Sequence, residues 1–478
     1  MNPAPSYRFR KMLFALLAVS AVFFLFTIFT NSGIIPQKSS GSFEYVRKAD
    51  ELLQKHKFVE AIAHYEKAYA ASPESIQISH GLVNAYTDYA EAFAESEKFD
   101  QAIAWLLKAR AVVQNASTAQ NLAVMYAKRA LRELRSGGAV KAGEDLAKSR
   151  EAAAVSNNAR KSLAATLYSD AAGEYNAGRA QTALVLLQEA LLSDYDWRIC
   201  EFLGNIYYRK HDLEQARSYF EKALSLNPDA QEVRKDLEKL AKEITLAKND
   251  LTAALPHFEL RYDKSLPIDV ALVNRVLETA YGQVGKDLGY SPQEKTTVFF
   301  YSTVNFKEIF RMPGMVRAFY DGNIRMPFPS EAMDERALAH YIFHEYAHAV
   351  VSAKTNNNCP AWLSEGIATW EDVRMEDPSG KAKLKAEVIG GRPLSIDDLN
   401  TFFTGKVKDA PDTQAYYFRA YTFVRFVVDS WGEAGLRDVL ARIAGGQHVV
   451  NAIDDRFLVS EKELERRWNE YAREKLIH

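Results

Sequence analysis

The sequence has few cysteines, few glycines and prolines, and no excess of either charge. Its only two cysteines, Cys200 and Cys359, stand far apart, which excludes a disulfide framework and a multi-cysteine metal site. With 23 glycines, 15 prolines and 47% hydrophobic residues, the chain is neither collagen-like nor disordered. Lys and Arg number 60 against 62 Asp and Glu, so the broad positive field typical of nucleic-acid-binding proteins is missing, and we expect no nucleic acid partner. The length of 478 residues predicts about three domains.

Residues 12–30 form an uncharged and strongly apolar run. As a helix, a run of this length spans about 28 Å, close to the hydrocarbon thickness of a bilayer. Arg8, Arg10 and Lys11 precede it, which predicts a basic cytoplasmic tail at residues 1–11 and an extracytoplasmic location for the rest. A cleaved signal peptide is the alternative, but its apolar core is normally only ~7–15 residues long. We therefore predict an uncleaved transmembrane signal anchor.

After a linker at residues 31–45, a helical repeat begins. The fragments AIAHYEKAYAASP and ARSYFEKALSLNP both have alanine, an aromatic residue four positions later and proline twelve positions later. Three further segments keep the alanine and place leucine at the aromatic position. The alanines lie 41, 40, 41 and 33 residues apart; they are Ala61, Ala102, Ala142, Ala183 and Ala216.

This pattern resembles the tetratricopeptide repeat, a unit of two antiparallel helices over ~34 residues. The resemblance implies an all-α solenoid over residues 46–245, with a groove that can bind a protein partner. The three wide spacings predict longer helices or loops in the middle repeats, and Cys200 is then a packed core thiol. A generic helical bundle is the alternative.

The pattern changes near residue 250. We predict strands at His257–Asp263 and Thr296–Ser302, a helix at Val270–Leu288, and a strand or hairpin at Ala318–Pro329. Strands mixed with long helices indicate an α+β domain over residues 250–478.

The segment ALAHYIFHEYAHAVV within this domain has the pattern His-Glu-x-x-His. On a helix, residues four apart differ by only about 40° in direction, so His344 and His348 can reach one metal ion. Glu345 can project towards a water molecule bound to that ion. Zinc lowers the pKa of such a water to about 7. The pattern predicts a catalytic zinc site, with His340 as a structural or supporting residue. Two hydrogen-bonded core histidines are the alternative.

A catalytic zinc needs a third protein ligand, and the segment PAWLSEGIATWED can return antiparallel to the first helix after a turn at residues 356–360. This pair of helices resembles the gluzincin metallopeptidases, in which a helix of the type W-L-x-E-G-x-A supplies that ligand. The resemblance implies a zincin-like α+β fold with Glu365 as the third zinc ligand. An exposed helical glutamate is the alternative, and Cys359 is not a predicted ligand. The matching residues are Trp362, Leu363, Glu365, Gly366 and Ala368.

Two further features of the gluzincins have counterparts here. The segment AYYFRAYTFVRFVVDSWG resembles the helix that brings a tyrosine to the zinc, and its register implies Tyr417 as an oxyanion-stabilising catalytic residue, with Tyr416 and Tyr421 as alternatives. The strand at residues 322–326 matches the edge strand along which these enzymes bind an extended substrate, which implies Gly322 and Asn323 as substrate-binding residues.

The combination of anchor, solenoid and gluzincin-like domain is similar to bacterial membrane-tethered peptidases with tetratricopeptide repeats. It implies a single-pass inner-membrane protein with a periplasmic zinc peptidase, whose repeats recruit or gate protein substrates. The Gly-Ala-Met-Glu-Asn motif, with which related aminopeptidases bind a free α-amino group, has no copy here, and this favours cleavage within a chain. A repeat scaffold with a degenerate or structural zinc domain is the alternative function.

Overall fold

A computed structural model describes residues 39–311, 318–328, 334–373, 395–404 and 413–477. Between residues 39 and 247, the described chain consists of helices joined by short turns. Its helices are α1 Ser39–Leu53, α2 Phe58–Ala71, α3 Ile76–Glu95, α4 Phe99–Val112, α5 Ala116–Arg135, α6 Ala139–Ala153, α7 Asn157–Asn176, α8 Ala180–Ser193, α9 Trp197–Arg209, α10 Leu213–Leu226 and α11 Gln231–Ala247.

The first ten helices form five consecutive pairs, from α1 with α2 to α9 with α10, and each pair contains two buried small residues. The repeat alanines lie in the second helix of each pair, and all five are completely buried. Twelve residues before each of them, the first helix carries another buried small residue, so the backbones of the two helices can approach closely. These partners are Ala49, Ala90, Ala130, Ala171 and Gly204.

The wide spacings between repeat alanines arise from longer first helices, as predicted. Helices α3, α5 and α7 have 20 residues each, whereas α9 has 13. The extra seven residues are two helical turns. A polar side chain caps the amino end of each first helix from the second repeat onward by accepting a backbone N–H. The caps are Ser75, Asn115, Ser156 and Asp196.

The predicted membrane anchor at residues 12–30 lies outside the described residues. Within the part that the structure describes, no helix combines the length and the apolar character needed to cross a bilayer. Helix α1 begins at Ser39, inside the segment predicted to be a linker.

The second part of the chain combines a sheet with helices. Its strands are β1 Asp250–Ala254, β2 Phe258–Asp263, β3 Thr296–Ser302, β4 Phe319–Tyr320 and β5 Ile324–Phe328. The described sheet has the order β1-β2-β3-β5-β4; β2, β3 and β5 are parallel, and β1 and β4 are antiparallel to their neighbours. The helices are α12 Val270–Leu288, α13 Thr303–Phe310, α14 Glu335–Lys354, α15 Ala361–Val373, α16 Ile396–Phe403, α17 Thr413–Ala444, α18 Val449–Phe457 and α19 Glu461–Ile477.

Both faces of β3 are covered. Val298 and Phe300 point to the face that packs against α12 and α14, in the main core of this part. Phe299 and Tyr301 point to the opposite face, where they cluster with α13 and with Leu246 of α11. The solenoid therefore covers one side of the sheet, and this explains why the strand is a continuous apolar run rather than an alternating one.

Within the described residues, the predicted hairpin is present at 318–328, but the predicted edge strand is not an edge at Ile324 and Arg325. These two residues of β5 pair with β3 on one side and with β4 on the other, whereas residues 326–328 pair with β3 alone, so β4 and the end of β5 form the edge of the described sheet. Gly322 and Asn323 form the turn between β4 and β5. A sequence pattern identifies a strand, whereas its position in the sheet depends on pairing with distant segments.

Candidate metal centre

Helix α14 carries the His-Glu-x-x-His pattern. It begins after Asp334, whose side chain accepts a hydrogen bond from the backbone N–H of Ala337. Leu338, Ile342 and Phe343 are among its buried residues and fix its orientation against the sheet. This packing leaves the two motif histidines partly exposed, with 22% of the His344 side chain and 15% of the His348 side chain accessible.

A short turn brings the next helix back along α14. Asn356 and Asn357 have positive φ angles of 52° and 58°, a conformation that asparagine tolerates better than most residues. Pro360 precedes α15, where the missing N–H of proline costs nothing. Helix α15 packs against α14, and Glu365 faces the two histidines.

The structure brings together the three residues predicted as metal ligands. The Nε2 atoms of His344 and His348 lie 3.5 Å and 3.4 Å from Oε2 of Glu365. Two ligand atoms on a tetrahedral zinc ion, each at ~2.1 Å, are about 3.4 Å apart. Two imidazole nitrogens and one carboxylate oxygen are also the donor set of a catalytic zinc site. The residues present therefore fit a zinc ion.

Two polar side chains contact histidines of helix α14. Nδ1 of His348 lies 2.8 Å from Oγ of Ser364, so the nitrogen that faces away from Glu365 is also engaged. A hydrogen bond of this kind fixes the ring orientation of a metal-binding histidine. His340, one turn before His344, contacts Asp372 through Nδ1. Sequence reasoning missed Ser364 and Asp372, although Asp372 is seven residues after Glu365 and hence on the same helix face.

The two glutamates of the site have opposite electrostatic environments. Burial raises the pKa of Glu345, and the charges of His344 and His348 offset only part of that rise. For Glu365 burial also raises the pKa, but the charge of His348 and hydrogen bonds from both histidines lower it well below its usual range. For His344, burial lowers the pKa, yet the hydrogen bond with Glu365 and the charge of Glu345 raise it to about 9. Glu365 is thus the ionised partner of the histidines.

Glu345 has a buried oxygen without a partner. The residue is 5% exposed, and its Oε2 makes no hydrogen bond with any atom of the described chain. Burying such an oxygen is unfavourable unless a further group satisfies it. A carboxylate kept free beside a ligand set is suited to accept a proton from a water molecule.

Tyr417 of α17 lies within the electrostatic influence of both carboxylates of the site. Burial raises its pKa, and the charges of Glu365 and Glu345 raise it further. The ring of Tyr416 instead stacks on Phe402 at 3.9 Å, and Tyr421 is 4% exposed within the core. Of the three candidates, Tyr417 has the environment expected of a group beside the metal centre.

Close packing of α15 and α17 depends on Gly366. A Cβ atom at this position would lie 2.5 Å from the carbonyl oxygen of Ala420, which is far inside contact distance. The glycine beside Glu365 therefore allows the helix with Tyr417 to approach the ligand helix.

The remaining sequence candidates lie elsewhere. Asn323 is buried, and its Nδ2 donates to the carbonyl oxygen of Arg209 in α9. Gly322 also packs on Arg209. These two residues face the solenoid, so their predicted contact with a substrate has no support in the geometry. Cys359 packs against the core, and burial raises the pKa of its thiol.

Comparisons with known proteins identify the parts of the chain. Residues 318–474 match the peptidase MA superfamily, and residues 52–125 and 197–230 match tetratricopeptide repeats. No curated protein is similar enough to match the chain.

Several solved structures are similar to parts of it. A mutant two-domain M1 zinc metallopeptidase bound to L-arginine is 15% identical, covers 47% of this chain and 51% of its own, and has a TM-score of 0.31. A mutant M1 zinc metallopeptidase from Deinococcus radiodurans is 16% identical. The match covers 46% of this chain and 51% of that one, with a TM-score of 0.31. YrrB, a tetratricopeptide-repeat protein with an unusual peptide-binding site, is 18% identical. The match covers 42% of this chain and 94% of that one, with a TM-score of 0.22.

This chain spans about half the length of the two M1 structures. The match over residues 318–474 includes the three converging ligand candidates and Tyr417. The chain therefore carries a peptidase MA superfamily domain behind tetratricopeptide repeats.

Proposed function

We propose that the protein is a zinc-dependent peptidase in which His344, His348 and Glu365 hold the metal ion. The observation that carries this proposal is the convergence of the three donor atoms, all within 4.8 Å of one another, beside the buried carboxylate of Glu345, whose Oε2 has no hydrogen-bond partner in the described chain. A purely structural zinc site fills its fourth position with protein and has no use for such a base.

The side chains around the centre have distinct roles in peptide hydrolysis. Zinc, when bound, supplies Lewis acidity that polarises a peptide carbonyl and lowers the pKa of a water molecule. Glu345 accepts the proton of the attacking water and passes it to the nitrogen of the leaving amine. Tyr417 donates its O–H to the oxygen that gains negative charge in the tetrahedral intermediate. Ser364 holds the ring of His348 in place.

We further propose that the enzyme cleaves within protein chains and acts outside the cytoplasm. The missing α-amine-binding motif supports internal cleavage, and the apolar run at residues 12–30 with its preceding basic residues supports an inner-membrane anchor. The repeats support recruitment of a protein substrate or partner, because stacked repeats present extended binding surfaces.

The test is a metal analysis of the full chain together with a peptide-library cleavage assay. The parent should contain one zinc per chain and cleave peptides, and His348→Ala should lose both properties. His257→Ala is a matched control, since that histidine contacts Glu278 and Tyr281 instead, and it should retain both. Stoichiometric zinc in His348→Ala would sink the ligand assignment.

A further inference from the structure

A buried arginine lies directly behind the edge strand of the peptidase domain. Arg325 of β5 pairs with Phe319 of β4 and is 0% exposed. Its Nε donates to Oδ2 of Asp321, in the β4–β5 turn, at 3.0 Å, and its Nη1 donates to Oη of Tyr301 at 2.5 Å. These contacts fix the turn to the sheet from within the domain.

The solenoid supplies the second carboxylate for this arginine. Nη1 of Arg325 lies 2.9 Å from Oε2 of Glu243 in α11, and Glu243 accepts a hydrogen bond from the hydroxyl of Tyr208 in α9. The guanidinium carbon lies 5.0 Å from the ring centre of Tyr208 and 4.8 Å from that of Phe299. One ring comes from the solenoid and one from the sheet, so both parts of the molecule are needed to complete the environment of the buried charge.

The turn itself is attached to the solenoid at a second point. Nδ2 of Asn323 donates to the carbonyl oxygen of Arg209 at 2.9 Å. Gly322 has φ of 107°, and a Cβ there would lie 3.4 Å from Cβ of Arg209. A side chain at this position would therefore be strained and crowded.

The short edge strand is held by contacts on several sides. Strand β4 has two residues in the described chain, and both pair with β5. Phe319 packs on the rings of Phe306 and Phe310, and the side chain of Tyr320 forms a hydrogen bond with Ser352 of α14. The turn at residues 321–323 adds the contact with the solenoid, which holds it through Glu243 and Arg209. Removing one partner of a buried ion pair leaves an uncompensated charge and disturbs its surroundings.

We infer that the tetratricopeptide repeats position the substrate-binding edge strand of the peptidase, with Arg325, Glu243 and Asn323 as positioning residues. This inference rests on the proposed peptidase function, and it adds that an extended substrate pairs by main-chain hydrogen bonds with the side of β4 that has no partner strand within the described residues. The repeats are then an integral part of the substrate site as well as a surface for recruitment.

The experiment compares Glu243→Gln and Asn323→Ala with the parent, all as full chains. Hydrogen exchange at residues 319–328 should become faster in both variants, and zinc content should stay at the parental value. With a casein peptide of about 20 residues as probe, we expect KM to rise roughly tenfold, which corresponds to one or two weakened main-chain hydrogen bonds. The turnover number should remain within about twofold, because the zinc ligands and Glu345 are untouched.

The matched control is Glu189→Gln. Glu189 lies in α8 and forms an ion pair with Arg150 inside the solenoid at 2.6 Å, away from the contacts of the β4–β5 turn described above. This variant should leave both KM and the exchange of residues 319–328 unchanged. A second probe is the shortest trimmed form of the casein peptide that the parent still cleaves. This short peptide has less main chain to pair with β4. Glu243→Gln should therefore raise the KM of the short peptide less than it raises the KM of the long peptide.

The inference would be overturned if both variants kept the parental exchange rates at residues 319–328. It would also be overturned if Glu189→Gln changed KM and these exchange rates as much as Glu243→Gln does. If Glu243→Gln does not fold, Asn323→Ala, which removes no charge, decides the question by the same two measurements. Absence of casein cleavage by the zinc-loaded parent would instead contradict the proposed function, while the exchange measurement still tests the positioning of the strand.

Discussion

Glu345 and Glu365 are chemically identical side chains whose surroundings separate their roles. Two histidines hold Glu365 ionised, whereas Glu345 is buried without a hydrogen-bond partner for Oε2 in the described chain, and burial raises its pKa. Pairs of carboxylates with opposite shifts commonly divide into a ligand or stabiliser and an acid–base group. The pair here fits that division.

The sequence motif was sufficient to find the ligand candidates, because four-residue spacing on a helix determines direction. It could not locate Ser364 or Asp372 as partners, since their roles depend on how α15 packs against α14. The error at Gly322 and Asn323 has a similar origin. Their turn faces Arg209, which is more than a hundred residues away in sequence.

At the residue scale, we predict that Tyr417→Phe keeps its zinc but loses turnover. The loss should be roughly 10²–10³-fold, the usual effect of removing one oxyanion donor. Zinc content and the turnover number on one peptide are the measurements. Tyr416→Phe is the matched control, because its ring stacks on Phe402 and its hydroxyl has no proposed role. Equal losses in the two variants would contradict the assignment.

At the scale of elements, the strand and helix patterns predicted most of the second part of the fold. β3 and α12 have the predicted boundaries, since a continuous apolar run and a regular amphipathic pattern are strong local signals. β1 escaped prediction because its five residues are mostly exposed and carry no alternating apolar pattern. It is defined by pairing with β2.

The β1–β2 pair leads to a prediction about pH. Asp250 lies opposite Asp263, and burial together with the charge of Asp263 raises the pKa of Asp250 to about 6, with Arg261 acting in the other direction. A folded-state pKa above the unfolded value means that ionisation disfavours the folded state. Stability from this group is therefore present at low pH and is lost as pH rises through about 6.

Asp250→Asn should accordingly stabilise the protein at pH 7.5 and have almost no effect at pH 4. The gain should be at most about 1 kcal/mol, because the group is partly exposed and solvent screens it. Thermal unfolding of both chains at the two pH values is the measurement. Exposed Asp229→Asn serves as the control, and a larger gain at pH 4 than at pH 7.5 would show that the argument has the wrong sign.

At the scale of the whole molecule, the solenoid and the peptidase domain share a buried ion cluster. Composition and repeat spacing could predict two separate parts, but not that Glu243 of one part would pair with Arg325 of the other. Contacts between domains join residues far apart in sequence, and no local pattern records them. Experiments on this protein should therefore use the chain with its repeats intact.

The proposed membrane anchor gives a prediction on the same scale. Arg8, Arg10 and Lys11 precede the apolar run, so the repeats should be accessible to protease from the periplasmic side and remain in the membrane fraction. Protease digestion of spheroplasts and of inverted vesicles is the measurement. Digestion of the repeats from the cytoplasmic side alone would reverse the orientation, and a soluble form that begins near residue 31 would show that the run is a cleaved signal.

The most direct test of the account is the comparison of Glu345→Gln with the parent on one peptide, with zinc measured in both. Glutamine keeps the shape of the side chain but cannot accept the proton, so zinc should stay at one per chain while turnover falls ~10²–10⁴-fold. Glu335→Gln, an exposed glutamate on the same helix that pairs with Arg275, should behave like the parent. Parental turnover in Glu345→Gln would contradict the mechanism, and a zinc-loaded parent that cleaves no peptide would favour a scaffold instead.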